Sequence, residues 1–391
     1  MPDLGHTIIH LARALYGEPE GFIPLHAPHF SGNERKYVMD CIDSTFVSSV
    51  GEYVGRFEEM LAASVGVRRA VACVNGTAAL EVALRLAGVE RDEMVVTQAL
   101  SFVATANAIS HCGAVPAFVD VEPSTLGMSP AALSAFLESD CEKSGGAVRH
   151  RATGRRVAAC VPMHTFGHPC RIDEIVSVAA GHGVPVVEDA AESLGSLYRG
   201  RHTGAFGVMG TLSFNGNKIC TAGGGGAILI DDDELADRAR RLTTTAKLPH
   251  AWEFKHDMVA WNYRLTNLSA ALACAQLERL DEFVDDKRLL ADEYASGLAA
   301  AGADGSVFVR EPAESRSNYW LNAVMTADRR ERDHVLAATN RAGVMTRPAW
   351  EPLHLLPMYA GCPRGGLDNT VFLADRLVNI PSSPRPRGAR K

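Results

Sequence analysis

Four short patterns in this chain carry residue types that could do chemistry. The first, Val74-Asn-Gly-Thr-Ala-Ala-Leu80, leads from a strand-like stretch into a helix-like one through a glycine turn. Backbone N–H groups at a helix start, with the Thr77 hydroxyl, suit a phosphate dianion. Read alone, the same residues are an ordinary turn with Thr77 as N-cap. The second, Val186-Val-Glu-Asp-Ala-Ala-Glu192, ends an apolar run in the carboxylate of Asp189. Ligands of open α/β sheets gather at strand carboxyl ends, and an acid there can hold a positive charge; alone, it is equally a capping or salt-bridged aspartate. The third is Ser213-Phe-Asn-Gly-Asn-Lys218, followed by Thr221 and the glycines 223–226. A lysine buried just past a strand can form a Schiff base, and a solvated lysine is the alternative. The fourth, Trp261-Asn-Tyr-Arg-Leu-Thr266, enters an apolar helix and alone is only a helix start. His164, in Met163-His-Thr-Phe-Gly-His168, also ends a strand, where a structural histidine is the default.

Other chemistries fit poorly. The glycine run precedes a strand instead of linking strand to helix, the reverse of a dinucleotide fingerprint, and no P-loop pattern occurs. There is no nucleophile elbow for Ser/His/Asp hydrolysis and no metal-ligand spacing. The formal net charge is -7, from 39 basic and 46 acidic residues, so nucleic acid and anionic lipid are not expected partners. Nine cysteines without close pairs fit free thiols in a reducing compartment. Met1–Tyr16 is weakly amphipathic and lacks the apolar core of a signal peptide; no apolar run reaches the ~18 residues of a membrane span. A cytoplasmic protein is expected.

The elements that must position these residues alternate. At 391 residues the chain suits about two domains, taking roughly 150 residues for each. Strand-like runs at Ala70–Val74, Met94–Thr97, Val115–Val121, Val157–Met163, Val184–Glu188, Thr211–Phe214 and Ala227–Ile230 are mostly separated by helical patterns such as Ala78–Leu86 and Ile172–His182. Apolar strands joined by helices predict a mainly parallel sheet covered on both faces. Ser31-Gly-Asn-Glu34 has capping-box spacing and opens a helix through Asp43. Helices follow at Glu234–Leu242 and Leu268–Leu290. Strands Ser306–Arg310 and Trp320–Thr326, helix Arg332–Ala342 and Val344–Arg347 predict a small C-terminal α+β unit. Residues Cys141–Arg156 are expected to be an exposed loop, and Pro381–Lys391 a poorly ordered tail.

In this order the patterns resemble the fold-type I pyridoxal-phosphate enzymes, and more narrowly the DegT/DnrJ/StrS sugar aminotransferases. Further shared elements are Val50-Gly-Glu-Tyr-Val-Gly-Arg-Phe-Glu58, Phe102-Val-Ala-Thr-Ala, Phe118-Val-Asp120 and Asn262-Tyr-Arg264, and the similarity runs from about Pro24 to Ser383. The resemblance implies a three-layer α/β/α large domain with a smaller C-terminal α+β domain, divided as 1–285 and 286–391. Lys218 would hold pyridoxal 5'-phosphate as a Schiff base, Asp189 would pair with the pyridinium nitrogen, and Phe102 would stack on the ring. Gly76, Thr77 and Ser213 would bind the phosphate, with Asn262 reaching in from a second subunit of a homodimer with shared sites. An ionised Asp189 keeps the ring nitrogen protonated, and the freed Lys218 amine can then shuttle a proton.

The implied activity is ping-pong amine transfer from L-glutamate, through pyridoxamine phosphate, to a nucleotide-linked keto-sugar. Relatives that deoxygenate sugars place His where Lys218 stands, so the lysine favours transamination. Glu192 departs from the Gln or His often found there beside the cofactor's phenolic oxygen. With Phe166-Gly-His-Pro169 and the inserted 141–156 segment, it looks most like a branch acting on 4-keto-6-deoxy sugars for nonulosonic-acid and surface-glycan synthesis. Candidate substrate residues are Ser48, Ser49, His164, Tyr319, Arg347, Trp350 and His354. Amination of a keto-cyclitol or another antibiotic precursor, and a non-catalytic regulatory role, are the alternative readings.

Overall fold

The computed structural model describes residues 3–302 and 307–385. Among them, strands β1 (Arg69–Cys73), β2 (Met94–Gln98), β3 (Val115–Val119), β4 (Val157–Val161), β5 (Val187–Asp189), β6 (Met209–Ser213) and β7 (Gly226–Ile230) form the central sheet. Its order is β1-β7-β6-β5-β4-β2-β3. Continuous ladders build each half, and parallel bridges from Cys160 to Val186 and from Met163 to Asp189 join them. The pairings are parallel except those of β7, which runs against β1 and β6.

The long helices are α1 (Leu4–Tyr16), α2 (Glu34–Asp43), α3 (Glu52–Val65), α4 (Gly76–Leu86), α5 (Val103–His111), α6 (Ile172–Gly181), α7 (Asp233–Thr243), α8 (Asn267–Leu277), α9 (Leu280–Ala300) and α10 (Arg329–Arg341). Successive side chains of a strand point to opposite faces, so each strand feeds two cores. Ala70, Ala72, Ala227 and Leu229 pack with Phe57 and Leu61 of α3 and Ala271 and Cys274 of α8. Val71, Cys73, Ile228 and Ile230 pack on the other face with Leu80, Ala83 and Leu84 of α4 and Ile109 of α5. This is the three-layer large unit expected. Phe57 is fully buried and meets Phe214 edge-on at 5.0 Å, tying α3 to the segment that carries Lys218. Truncating such a ring costs about 3–5 kcal/mol.

In the C-terminal unit, the antiparallel strands Asn322–Met325, Leu377–Ile380 and Arg347–Pro348 pack with α9 and α10. Helix α1 belongs to the same core, through Ile8 against Leu290, Tyr294, Val335 and Val378. Residues 285 and 286 both lie within α9. We propose a division that groups residues 4–16 with the C-terminal unit.

Several local expectations are corrected. The 141–156 segment carries a β-hairpin, Cys141–Ser144 paired with Ala147–His150, and buries Cys141, Val148 and His150. Its turn, Gly145-Gly146, has φ of 60° and 78°, a conformation that glycine supplies without strain. The expected helix Leu268–Leu290 breaks at Glu278 and Arg279 into α8 and α9. No capping box forms at α2: Asn33 is the N-cap and makes no side-chain cap bond, while Glu34 accepts the Gly32 N–H. Pro381–Arg385 is buried rather than loose, with Arg385 paired to Asp286 and Glu293; the remainder of the tail, and Ser306, lie outside the described residues.

Candidate active site

The carboxyl ends of β5 and β6 and the amino end of α4 converge on one cavity of about 290 Å³. It is lined by the expected Gly76, Thr77, Phe102, Asp189, Glu192, Ser213 and Lys218. Crossovers that return every parallel strand in the same sense bring these residues to one edge.

Asn75 caps α4, its side chain accepting the Ala78 N–H at 2.8 Å. The first N–H groups of the helix, at Gly76 and Thr77, have no acceptor within the helix and stand at the cavity with Ser213. The turn is packed too tightly for larger residues. A Cβ at Gly76 would lie 3.0 Å from the Cβ of Ser213, and one at Gly226 would lie 2.3 Å from the Asn75 carbonyl oxygen. Positive helix-end potential, free N–H groups and a hydroxyl make an anion cradle.

Asp189 ends β5, buried, and is oriented by the Thr105 hydroxyl at 2.7 Å and the Ala191 N–H at 3.2 Å. Phe102, N-terminal to α5, keeps 49% of its surface exposed at the cavity, so its ring face is open to a ligand. Lys218 follows β6; its Nζ lies 3.5 Å from Glu192 Oε1 and 3.9 Å from the centroid of the Trp320 ring. Glu192 is fully enclosed and also accepts the Phe166 N–H at 2.9 Å. Burial pushes its pKa up to about 7, against the opposing pull of the Lys218 charge. Phe166 has φ of 57°, a conformation costly for a non-glycine residue, in a tight turn that places this N–H on Glu192.

Most of the substrate candidates stand elsewhere. His164 is fully buried behind the site, its Nε2 3.0 Å from Glu188 Oε2 and its Nδ1 accepting the Cys170 N–H. Glu188 also accepts the N–H groups of Gly204, Phe206 and Gly207. Burial disfavours charge on both residues; with Nδ1 accepting the Cys170 N–H, the His164 proton sits on Nε2 and is donated to Glu188, and that bond together with the backbone N–H groups lowers the Glu188 pKa against its burial. This His164 pair is structural. Tyr319 is buried and its hydroxyl accepts the Glu311 N–H. Arg347 is exposed and bonds to Asn340 and Thr346; His354 is buried in a short 3-10 turn. Ser48, exposed, and Ser49, half-buried, lie before α3. None of these lines the cavity, whereas Trp350 does. Asn262 is exposed and outside the lining of its own chain's cavity.

Residues that the sequence reading missed complete the lining, chiefly Trp320, Asn217 and Met163, with Thr105 behind Asp189. Thr105 sits three residues after Phe102, so a helix started at Phe102 would have shown it facing the same way. Trp320 comes from the C-terminal unit and has no local signal.

A lysine, a carboxylate and an anion cradle at strand ends of a largely parallel three-layer sheet define a fold-type I pyridoxal-phosphate enzyme. Residues 28–389 match the DegT/DnrJ/EryC1/StrS aminotransferase family, and the chain belongs to it. It is 39% identical to EpsN of Bacillus subtilis (strain 168) over 86% of this chain and 84% of that protein. It is 36% identical to the GDP-perosamine synthase of Caulobacter vibrioides (strain ATCC 19089 / CIP 103742 / CB 15) over 86% and 87% of the two chains. The crystal structure of the aminotransferase TlmJ from Streptoalloteichus hindustanus is similar at a TM-score of 0.83 and 30% identity, covering 93% and 94%. The protein is a sugar aminotransferase of this family, and its cofactor is pyridoxal phosphate. The residues present fit that group: an acid for a ring nitrogen, an amine for an aldehyde and a helix start for a phosphate. No helix among the described residues is long and apolar enough to cross a membrane, and no cluster there could hold a metal ion.

Proposed function

We propose that the chain transfers the amino group of L-glutamate to a nucleotide-linked keto-sugar, of 4-keto-6-deoxyhexose type, by a ping-pong cycle. The product would serve nonulosonic-acid, surface-glycan or antibiotic sugar synthesis. The observation that carries this reading is the meeting of Lys218, Asp189 and the α4 amino end at one buried cavity. It is supported by relatives named as GDP-perosamine synthases and by DesI, crystallised with its TDP-sugar product, at 27% identity and a TM-score of 0.77.

The bound cofactor supplies an electron sink for the pair left when a Cα–H bond breaks. The chain's own residues do the rest. Asp189, held by Thr105, favours a proton on the ring nitrogen through a charge-assisted hydrogen bond. Gly76, Thr77 and Ser213 anchor the phosphate, and Phe102 covers a ring face. Lys218 would hold the cofactor's aldehyde carbon through Nζ, and as a free amine that same Nζ would carry a proton. Glu192 exchanges a hydrogen bond with that amine.

We further propose a homodimer in which Asn262 of each chain completes the site of the other, a reading supported by an Asn262 that is exposed and outside the lining of its own cavity. A cytoplasmic location is proposed from nine unpaired cysteines, eight of them buried. The test is a half-reaction. L-Glutamate alone should convert the cofactor absorbance to that of the pyridoxamine form, and keto-sugar nucleotides should reverse it. A yellow protein whose spectrum ignores glutamate would overturn the reading in favour of a regulatory role.

A further inference from the structure

Trp320 is fixed at three atoms. Its backbone N–H donates to Asn318 Oδ1 at 2.8 Å, its carbonyl accepts from Lys287 Nζ at 3.1 Å, and its indole N–H donates to the Asn217 carbonyl at 2.7 Å. Asn217 immediately precedes Lys218. The Asn318 amide donates in turn to the carbonyls of Glu192 and Leu194, both at 2.9 Å, so the strand-entry segment bearing Trp320 is latched to the segment bearing Glu192. Lys287 is fully buried and also donates to the Ser382 carbonyl. Burying an amine is costly, and burial pulls the Lys287 pKa down to about 7. What the fold gains there is a donor that ties Trp320 and the C-terminal segment to α9. At the front of this assembly the indole faces the Lys218 amine, 3.9 Å from ring centroid to Nζ.

We propose that Trp320 is a positioning residue for the Lys218 amine, seating it against the indole while Asn318 and Lys287 fix that indole from the C-terminal unit. The inference rests on Lys218 being the residue that takes the cofactor. An aromatic face attracts ammonium and N–H groups, most strongly when it is tryptophan. Attachment joins the Nζ to the aldehyde carbon and releases one water, with no oxidant or reductant. The ring governs where the nucleophile sits, and about 1 Å of misplacement can cost ~100-fold in rate.

The experiment mixes cofactor-free protein with pyridoxal phosphate and follows covalent attachment by absorbance, with borohydride trapping and peptide mass to locate it. Trp320→Leu should slow attachment at Lys218 about tenfold. Trp320→Phe keeps a ring but loses the Asn217 bond, and should slow it about threefold; it carries the test if the leucine variant fails to fold. Lys287→Met should act in the same direction, about threefold. In a Lys218→Ala background, Trp320→Leu should leave cofactor retention by equilibrium dialysis within about twofold, because a residue acting through Lys218 has nothing left to act on. Attachment at the wild-type rate in both Trp320 variants overturns the proposal, as does equal loss of cofactor in both backgrounds, which would make Trp320 a mere wall of the cavity. A folded Lys287→Met with unaltered attachment removes the anchoring role of Lys287. If wild-type protein takes no label at Lys218, the functional reading itself has failed; label there with unslowed variants sinks only the role of Trp320.

Discussion

Glu192 and Lys218 form an ion pair inside the cavity, Oε1 to Nζ at 3.5 Å, with the second Glu192 oxygen held by the Phe166 N–H. Burial raises the Glu192 pKa to about 7 and Asp189 adds to this, while Lys218 and the N–H oppose it. A carboxyl whose folded pKa lies above its unfolded value lends stability that is full below the unfolded pKa, near 4.5, and is lost as pH rises through about 7. Cofactor-free wild type should therefore lose stability relative to Glu192→Gln between pH 4.5 and 7, by on the order of 2–3 kcal/mol. Thermal unfolding of both proteins at pH 5 and 8 checks this; a constant Tm difference would refute it.

Lys218→Ala should abolish turnover while the helix-end cradle still retains cofactor by dialysis. Asp189→Asn keeps the shape but not the charge, and should cut kcat by about 100-fold or more with little change in Tm. Near-normal rates in either variant would remove the assigned role.

Thr105→Val deletes the 2.7 Å hydrogen bond to Asp189 without changing side-chain volume much. A hydrogen bond to a charged group is worth about 1.5–3 kcal/mol, so kcat should fall roughly 10- to 100-fold. A variant in which only the KM for the keto-sugar changed would contradict this positioning.

Glu188→Leu would strand three backbone N–H donors and the buried His164. Breaking a buried pair in this way costs about 3–5 kcal/mol, read as a lowered midpoint in urea. An unaltered midpoint would show the network to be dispensable.

The proposed sharing of sites between two chains can be tested by complementation. Lys218→Ala and Asn262→Ala proteins, each inactive or impaired alone, should regain activity when refolded together, because a mixed dimer holds one intact site. Additive residual rates would argue that each chain works alone.

The local chemistry was legible in the sequence because it depends on near neighbours. Asn75-Gly-Thr77 reads as a helix start, Asp189 as a strand end and Lys218 as a residue beyond a strand, and alternating apolar runs announce the layered sheet. Gly145-Gly146 carries the same kind of turn chemistry, yet its flanks lack apolar periodicity, so the segment reads as a loop where the fold makes a hairpin. His164 carried the correct residue type at a correct strand end, yet Glu188 across the sheet claims it, a pairing that spacing does not reveal.

Tertiary structure alone decided how the two units share the cavity. Trp320 reaches Asn217 from 103 residues away, and Thr105 reaches Asp189 from 84. Such contacts depend on how units dock and strands order, and a linear pattern encodes neither. The sequence determined which groups could react; packing between the units determined which of them meet, because burial and orientation belong to the folded surface rather than to any one segment.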